Sequence, residues 1–327
     1  MKSYLVTGGA GFIGSYLCEA LLGKGNKVYS IDNLSTGRIE NVNFLKDKYP
    51  DNFEHHTASI EDSEELISRL LEKCDTVYHL AAAVGVKNVV DNPINTLKTN
   101  LRGTEIVLEE AAKKNRRIII ASTSEVYGKA GDNGPFKETD DLLLGSSYNS
   151  RWGYAVSKLA DEHLALAYHK EKNLPVTVIR FFNTIGPRQV GNYGMVVPRF
   201  VGWAMKNEPV QVYGDGNQTR CFCFVGDTIN ALLKLEDKEE AVGEIFNIGN
   251  PDEISMNDLA RMIIKKLNSK SEIIHIPYEQ AYSKGFEDMK RRVPDISKIR
   301  NLIGWEPENG LDRIIEAVGE WMRSAKE

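Results

Sequence analysis

The fold is decided near the start of the chain, by the stretch Thr7-Gly8-Gly9-Ala10-Gly11-Phe12-Ile13-Gly14. An apolar run over 4–6 precedes it and is typical of a buried strand, while the apolar residues of 13–22 recur at helical spacing. Strand, glycine-rich turn and helix is the arrangement of a dinucleotide-binding loop, because glycine lets the backbone approach a pyrophosphate and the helix start attracts its charge. We therefore predict these cofactor-binding residues: Gly8, Gly11, Phe12, Ile13 and Gly14.

A second predicted strand indicates which dinucleotide is bound. Residues 27–31 read as a strand that ends in Asp32. A carboxylate there accepts hydrogen bonds from the adenosine ribose hydroxyls, which favours NAD over NADP. The polar loop that follows is predicted to touch the adenosine end and adds these residues to the site: Asn33, Ser35, Thr36 and Gly37. Arg38 leaves NADP open, because a guanidinium can meet a 2′-phosphate.

Length and composition limit the class of protein. The 327 residues suit one large α/β unit with a smaller one. A net charge of −5 without any basic block argues against nucleic-acid or membrane-surface binding. The four cysteines have no zinc spacing and read as buried free thiols, and the histidines form no ligand-spaced set, so we expect no metal. The sequence shows neither a signal peptide nor a membrane span, and we expect a soluble cytoplasmic protein.

Alternating strand-like and helix-like segments predict an α/β fold with a Rossmann-like, doubly wound parallel sheet over 1–185. Residues 186–327 are predicted to form a smaller α/β substrate domain, from which 222–250 return to the first sheet. The end of the fourth strand consists of mostly small residues that let a cofactor lie close, namely Leu80, Ala81 and Ala82. Asn100 lies within a predicted helix over 93–115 and would serve the site if its face turns inward.

Polar residues follow the fifth predicted strand, at the edge where ligands gather in open α/β sheets: Thr123, Ser124 and Glu125. Tyr154 and Lys158 stand four residues apart in a predicted helix over 152–172 and therefore share a face. A second Tyr-x-x-x-Lys pair, Tyr168 and Lys172, lies roughly 21 Å further along that helix, and we assign Tyr168 to packing.

These residues predict an alcohol oxidation. A free tyrosine has a pKa near 10, but the ammonium of Lys158 and a positively charged nicotinamide both favour its phenolate. Tyr154 is then expected to take a hydroxyl proton while hydride passes to NAD, with Thr123 hydrogen-bonded to the same hydroxyl. A ketone formed at C4 of a hexose acidifies the C5 hydrogen and lets a C5 carboxylate leave as carbon dioxide. Glu125 is expected to take the C5 proton or to steer a C5 substituent, unless it only interacts with a helix dipole.

Loop arginines of the second domain are candidates for binding a diphosphate: Arg188, Arg220 and Arg292. With them, the chain resembles the extended short-chain dehydrogenase/reductase family of nucleotide-sugar epimerases, dehydratases and decarboxylases. The marks of this resemblance are Thr7-Gly8-x-x-Gly11-x-x-Gly14, Asp32-Asn33, Ser122-Thr123-Ser124-Glu125-Val126-Tyr127-Gly128, Tyr154-x-x-x-Lys158, Arg180-Phe181-Phe182-Asn183, Gly186-Pro187-Arg188, and Gly214-Asp215-Gly216 leading to Arg220.

The resemblance implies a tightly held NAD, a UDP- or dTDP-type sugar under the smaller domain, and a homodimer joined through a four-helix bundle. It also implies nucleotide or diphosphate contacts from Asn183, Arg220 and Arg292. Ser59 stands where the family often has an aspartate near the adenine. We assign Ser59 and Ile60 to the cofactor site and Val197 to the substrate site.

Within this family the motifs indicate more than one reaction. The segments 92–100 and 122–128 look most like UDP-glucuronate decarboxylases, and Arg151-Trp152-x-Tyr154 resembles the decarboxylase of the aminoarabinose pathway. Segments 194–198 and 214–216 look epimerase-like, and the 4,6-dehydratases usually carry Asp-Glu in place of Ser124-Glu125. We favour decarboxylation of a UDP-hexuronate. The alternatives are a UDP-sugar 4-epimerase, dehydratase-type chemistry across C5–C6 of a UDP- or dTDP-hexose, and an NAD-sensing regulator without catalysis.

Overall fold

A sheet of seven parallel strands forms the centre of the protein, whose computed structural model describes residues 1–130, 134–189, 191, 195–281, 289 and 291–324. The seven strands are β1 (Ser3–Thr7), β2 (Lys27–Asp32), β3 (Phe53–Thr57), β4 (Thr76–His79), β5 (Arg117–Thr123), β6 (Val176–Phe181) and β11 (Glu244–Ile248). Their order is β11-β6-β5-β4-β1-β2-β3, and every neighbouring pair is parallel. The predicted Rossmann-like parallel sheet is confirmed.

Helices cover both faces of this sheet. They are α1 (Phe12–Gly23), α2 (Ile39–Lys48), α3 (Glu64–Lys73), α4 (Val86–Asp91), α5 (Pro93–Lys113), α6 (Trp152–Lys172), α8 (Val225–Glu236) and α11 (Ser297–Ile303). Side chains alternate between the two faces along each strand, so Ile119 packs in the core under α1 and α8, while Ile118 and Ile120 pack in the core under α3, α5 and α6. Burial on both faces explains why a central strand such as β5 is a nearly continuous apolar run, whereas the edge strand β3 is mostly polar and only partly buried.

A smaller unit with its own core follows. Its helices are α7 (Val196–Met205), α9 (Met256–Lys266), α10 (Tyr278–Ala281) and α12 (Leu311–Ser324). Its short strand pairs are β7 (Thr184–Ile185) with β10 (Cys223–Phe224), β8 (Val210–Tyr213) with β13 (Ile273–Ile276), and β9 (Thr219–Cys221) with β12 (Glu253–Ser255). Apolar residues of α7, α9 and α12 form this third core.

Some strands and helices differ from the sequence predictions in where they end or which strand they pair with. The fourth strand ends at His79 because the next backbone N–H groups, of Leu80 and Ala81, donate to the side chain of Thr7. Of the predicted return over 222–250, β11 joins the large sheet, whereas β10 pairs with β7. The division into domains stays a prediction. Gly194, the first residue of the epimerase-like segment 194–198, lies outside the described residues, and α7 begins at Val196.

Three further observations concern the cysteines, metal binding and membrane-spanning helices. All four cysteines are buried and free, as predicted. Across the described ranges, no group of three or more histidine, cysteine, aspartate or glutamate side chains is arranged to hold a metal ion. In the same part of the chain, no helix combines the length and apolar character that a bilayer crossing needs.

Candidate active site

A cavity of about 510 Å³ opens at the carboxyl ends of the central strands and is lined by both the large sheet and the smaller unit. The strand order reverses between β1 and β4, because β2 and β3 lie on one side of β1 while β5 and β6 lie beyond β4. In open α/β sheets this reversal leaves a crevice in which ligands bind. The volume is within the usual range for small-molecule sites.

The glycine loop forms one wall of the cavity, and its glycines leave no room for side chains. Gly8 has a φ of +72°, and a Cβ on it would stand 2.9 Å from the backbone nitrogen of Ala81. A Cβ on Gly14 would overlap the carbonyl oxygen of Gly8. No described side chain caps the N-terminus of α1, which begins after Gly11. The free N–H groups there fit an anionic ligand such as a pyrophosphate.

Asp32 stands at the end of β2, where the adenosine half of a dinucleotide is predicted. Its carboxylate accepts hydrogen bonds from the backbone N–H groups of Leu34 (2.8 Å) and Ala10 (3.1 Å). Burial raises the pKa of Asp32 above its ordinary value, and these hydrogen bonds oppose that shift. The Arg38 guanidinium is 3.2 Å from Glu40 and lies over the Trp321 ring, so its charge already has an anionic partner. This pairing favours a ligand without a 2′-phosphate.

Tyr154, in the first turns of α6, faces the end of β5. The Thr123 hydroxyl hydrogen-bonds the Tyr154 phenol and also accepts from the backbone N–H of Glu125 at 3.2 Å. Burial, and next the charge of Glu125, raise the pKa of Tyr154 well above its ordinary value. The Lys158 ammonium donates to Asp161 at 2.7 Å. Burial and the charge of Glu125 therefore oppose the phenolate within the protein itself, and the predicted help from Lys158 and a bound nicotinamide stays a prediction.

Glu125 lies between two buried arginines. Arg292 donates to its Oε1, Arg151 stands 3.2 Å from its Oε2, and Arg292 also donates to Asn183 at 2.8 Å. Burial of the carboxyl by itself raises its pKa, but the charges of Arg151 and Arg292, followed by Arg220, lower the pKa of Glu125 to about 2. Such a carboxylate is a weak base. Of the two roles expected for Glu125, the lowered pKa favours steering a C5 substituent over taking the C5 proton.

Comparison with known proteins identifies the family. Residues 5–318 match the family model described as GDP-mannose 4,6 dehydratase. The chain belongs to the GDP-mannose 4,6 dehydratase family. It is 39% identical over 323 residues to a UDP-N-acetyl-α-D-glucosaminuronate decarboxylase of Bacillus cytotoxicus, covering 98% of each chain. It is 37% identical over 322 residues to UDP-glucuronic acid decarboxylase 1 of Xenopus tropicalis, covering 96% of this chain and 71% of the relative.

A solved structure resembles this member of the GDP-mannose 4,6 dehydratase family over nearly its whole length. It is the UDP-glucuronic acid 4-epimerase of Bacillus cereus in complex with UDP-glucuronic acid and NAD. The TM-score is 0.88 at 29% identity, and the match covers 99% of both chains. The family model and these relatives confirm the resemblance to nucleotide-sugar enzymes of the extended short-chain dehydrogenase/reductase type.

The structure of this family member brings most of the predicted site residues to one cavity. Those that line it are Gly8, Gly11, Phe12, Ile13, Gly14, Asp32, Asn33, Ser35, Thr36, Ser59, Ile60, Leu80, Ala81, Ala82, Thr123, Ser124, Glu125, Tyr154, Lys158, Asn183, Arg188, Arg220 and Arg292. Arg188 is engaged elsewhere as well, since its guanidinium pairs with Glu19 of α1 and lies 4.2 Å from the centre of the Tyr16 ring.

Three predicted residues do not line the cavity. Gly37 lies against the carboxylate of Asp32, which a Cβ would approach to 2.8 Å. Asn100 is buried behind the wall, where it accepts from the backbone N–H of Ala83 at 2.7 Å and donates to Ser157 at 2.9 Å. Val197 is fully buried in the third core because it lies on the inner face of α7, so its assignment to the substrate site is corrected.

Sequence reasoning missed several residues of the site. Arg151 belongs to a motif of the sequence, but that motif does not indicate its contact with Glu125; it stands at the N-terminal end of α6, three residues before Tyr154. Asp161 gives no signal in the sequence, because a carboxylate three residues after a lysine is commonly part of a surface ion pair. The smaller unit adds further lining residues that no motif indicated: Arg199, Gln211, Tyr213, Gln218, Phe222 and Tyr278.

Proposed function

We propose that this protein decarboxylates a UDP-hexuronate with bound NAD, by oxidising C4 of the sugar transiently and restoring the cofactor. The observation that carries the proposal is the charge beside Tyr154. The guanidinium groups of Arg151 and Arg292 lie on either side of the Glu125 carboxylate, and the charge of Arg220 also acts on it. Guanidinium groups beside Tyr154 suit a C5 carboxylate and the adjoining diphosphate, because they bind both kinds of anion through paired hydrogen bonds. The two decarboxylase relatives act on UDP-linked hexuronates by name, which supports the same substrate class.

The residues at the ends of β1, β2 and β4 fit NAD. A Cβ at Gly8 or Gly14 would collide with the protein's own backbone, so these glycines let the loop turn closely against the strand ends. The start of α1 then offers free N–H groups to a pyrophosphate. Asp32 is suited to the adenosine ribose, and Arg38 is paired with Glu40. When bound, NAD supplies a hydride acceptor and the positive charge of its nicotinamide ring.

Tyr154 serves as the base that accepts the C4 hydroxyl proton, and Thr123 holds that hydroxyl through a hydrogen bond. The resulting C4 carbonyl withdraws electrons from the neighbouring carbon. The bond between C5 and the carboxylate then breaks, carbon dioxide leaves, and the electron pair remains on C5, delocalised onto the C4 oxygen. C5 takes a proton from solvent, and Tyr154 returns its proton to the C4 oxygen as that carbon is reduced. The net change is a UDP-hexuronate plus one proton giving a UDP-pentose and carbon dioxide.

Glu125 has a steering role in this scheme. Its pKa of about 2 keeps it ionised throughout the physiological range, so it neither donates nor accepts the C5 proton. It holds Arg292 and Arg151 on either side of its carboxylate, next to Tyr154. The arginines can then pair with the carboxylate of the sugar until it leaves.

A UDP-hexuronate 4-epimerase is the second candidate. It is favoured by the similarity to the Bacillus cereus enzyme, whose structure contains UDP-glucuronic acid and NAD. The same arginines would hold the carboxylate, which an epimerase retains. A dehydratase is less favoured, because Ser124 replaces the aspartate that would protonate a departing C6 hydroxyl.

We also propose that the protein forms a homodimer through α5 and α6. Apolar side chains are exposed on both helices, with Leu101 39% and Val156 47% exposed. Ile94, in the first turn of α5, is exposed as well. A second copy that pairs these helices into four would cover this surface.

The test is incubation of the purified protein with UDP-glucuronate, with its 2-acetamido analogue and with UDP-glucose, followed by proton NMR. Release of carbon dioxide with formation of a UDP-pentose supports the decarboxylase. Inversion at C4 with the carboxylate retained supports the epimerase instead. UDP-glucose, which has no carboxylate, should give no carbon dioxide, and a Tyr154→Phe variant should leave all three sugars unchanged.

A further inference from the structure

Asp161 forms a buried ion pair with Lys158. The two side chains lie three residues apart on α6, with 1% and 2% of their surfaces exposed, and Lys158 Nζ is 2.7 Å from Asp161 Oδ2. The other oxygen, Oδ1, accepts no hydrogen bond within the described part of the chain. The charge of Asp161 is therefore directed at Lys158, which shares its helix face with Tyr154.

A line of hydrogen bonds connects this pair to the cofactor wall. The Thr7 hydroxyl accepts from the backbone N–H groups of Leu80 and Ala81, and it contacts His79 Nδ1 at 2.9 Å. His79 Nε2 contacts the Thr104 hydroxyl at 3.1 Å, and Thr104 faces Asp161. Burial, and next the charge of Lys158, lower the pKa of His79 to about 3, so this imidazole is neutral.

Along this line, Thr7 and His79 each donate a proton to the next group in the direction of Asp161. Because Thr7 accepts two backbone hydrogen bonds, its hydroxyl proton is free to go to His79 Nδ1. His79 Nε2 then carries the ring proton and donates to Thr104, which lies beside Asp161. The line therefore runs from the wall formed by Leu80 and Ala81 to the surroundings of the Asp161 carboxylate. Burial raises the pKa of Asp161, and the charge of Lys158 opposes that shift.

We propose that Asp161 is a positioning residue of the reaction, which keeps the Lys158 ammonium charged and in place and thereby sets the pH range in which Tyr154 exchanges protons. This inference rests on the proposed function of Tyr154. A buried ammonium without a counter-charge loses its proton more readily, because burial disfavours the charged form. A phenol without a nearby anion ionises more readily for the corresponding reason.

The other charged or titratable groups near Lys158 and Asp161 are neutral, paired or opposed by a second charge. His79 of β4 is neutral, and Glu162 of α6 is paired with Arg180 of β6 at 2.8 Å. The charges of Glu125 and Arg292 also act on Tyr154, and their effects on its pKa oppose each other. Asp161 is therefore the charge whose removal should alter Lys158 and Tyr154 in the same sense.

The test is the pH profile of turnover for Asp161→Asn, measured on the NAD-bound enzyme. Both limbs of the profile should shift to lower pH, and the optimum should fall by at least about one unit. Asp161→Glu, which keeps the charge, should restore the wild-type optimum. Glu162→Gln is the matched control, because it removes a buried carboxylate of the same helix that pairs with Arg180; it should reduce stability and leave the optimum in place. An Asp161→Asn optimum equal to that of the wild type would overturn the proposal, whatever the height of the profile.

A second measurement does not depend on turnover. In protein labelled with carbon-13 at the lysine Cε, the Lys158 signal is assigned by its loss in Lys158→Met. We expect Asp161→Asn to shift the titration of that signal to lower pH, and Asp161→Glu to leave it unshifted. Should Asp161→Asn not fold, Thr104→Val should give a smaller shift in the same direction. Unchanged titration in the folded variants would refute the inference, whereas a shift without turnover of any UDP-hexuronate would refute only the proposed function.

Discussion

Replacement of Glu125 by glutamine should destabilise the protein by about 3 kcal/mol near neutral pH. The pKa of this carboxyl falls from 4.5 to about 2 in the folded protein. At about 1.4 kcal/mol per unit, the fall corresponds to about 3 kcal/mol of stabilisation of the ionised form. Its side chain is 15% exposed, and the side chains of Arg151 and Arg292 are 5% and 9% exposed, so solvent screens the cluster little. Glutamine leaves two buried guanidinium groups without their anion.

The pH dependence has a definite sign. Because the pKa of Glu125 is lowered on folding, its contribution to stability is fully present above about pH 4.5 and is lost as the pH falls towards 2. Urea unfolding of the wild type and of Glu125→Gln at pH 7.5, 5, 4 and 3 measures this directly. The difference in unfolding free energy should be about 3 kcal/mol at pH 7.5 and should narrow below pH 4.5.

A matched control is available in the smaller unit. Glu253 pairs with Arg291 at 3.1 Å, but these side chains are 28% and 34% exposed. Glu253→Gln should therefore cost less than about 1 kcal/mol. If Glu125→Gln cost no more than this control at pH 7.5, or if its cost were the same at pH 7.5 and pH 3, the electrostatic account of the cluster would be refuted.

Three further predictions concern the cofactor, the base and the subunit contact. Asp32→Asn should weaken NAD binding by about tenfold, because it removes a charged acceptor for the ribose hydroxyls; calorimetry checks this, and unchanged affinity would exclude Asp32 from the site. Tyr154→Phe should lower turnover by about 10²–10⁴-fold while NAD still binds; activity near the wild-type level in the NMR assay would remove Tyr154 from the mechanism. Leu101→Glu combined with Val156→Glu should convert a dimer into a monomer in light scattering, and an unchanged mass of two chains would place the contact elsewhere.

The parts of the site that sequence could predict depend on short, fixed spacings. The glycine turn, Asp32 at the end of the next strand, and Tyr154 four residues before Lys158 each follow from the geometry of one strand or one helix. The parallel sheet then brings strand ends that are far apart in sequence to one edge, so Thr123 could also be predicted.

The charge environment could not be predicted in the same way. Glu125 meets Arg292 across 167 positions of sequence, and no local pattern encodes that contact. The partner of Lys158 depends on how deeply α6 is buried against α5, which the spacing alone does not give. The sequence also does not show which face of α7 borders the cavity. Adjacent residues of a helix point in different directions, so Val196 lines the cavity while Val197 is buried in the core.

The central claim is that C4 of the sugar is oxidised and reduced again at one site while the carboxylate is lost. Proton and carbon NMR of the product from UDP-glucuronate, or its 2-acetamido analogue, deuterated at C4 tests it most directly. The account predicts a UDP-pentose that retains deuterium at C4, together with one equivalent of carbon dioxide. A decarboxylated product that has lost its deuterium to solvent, or a product that still carries its carboxylate, would contradict it.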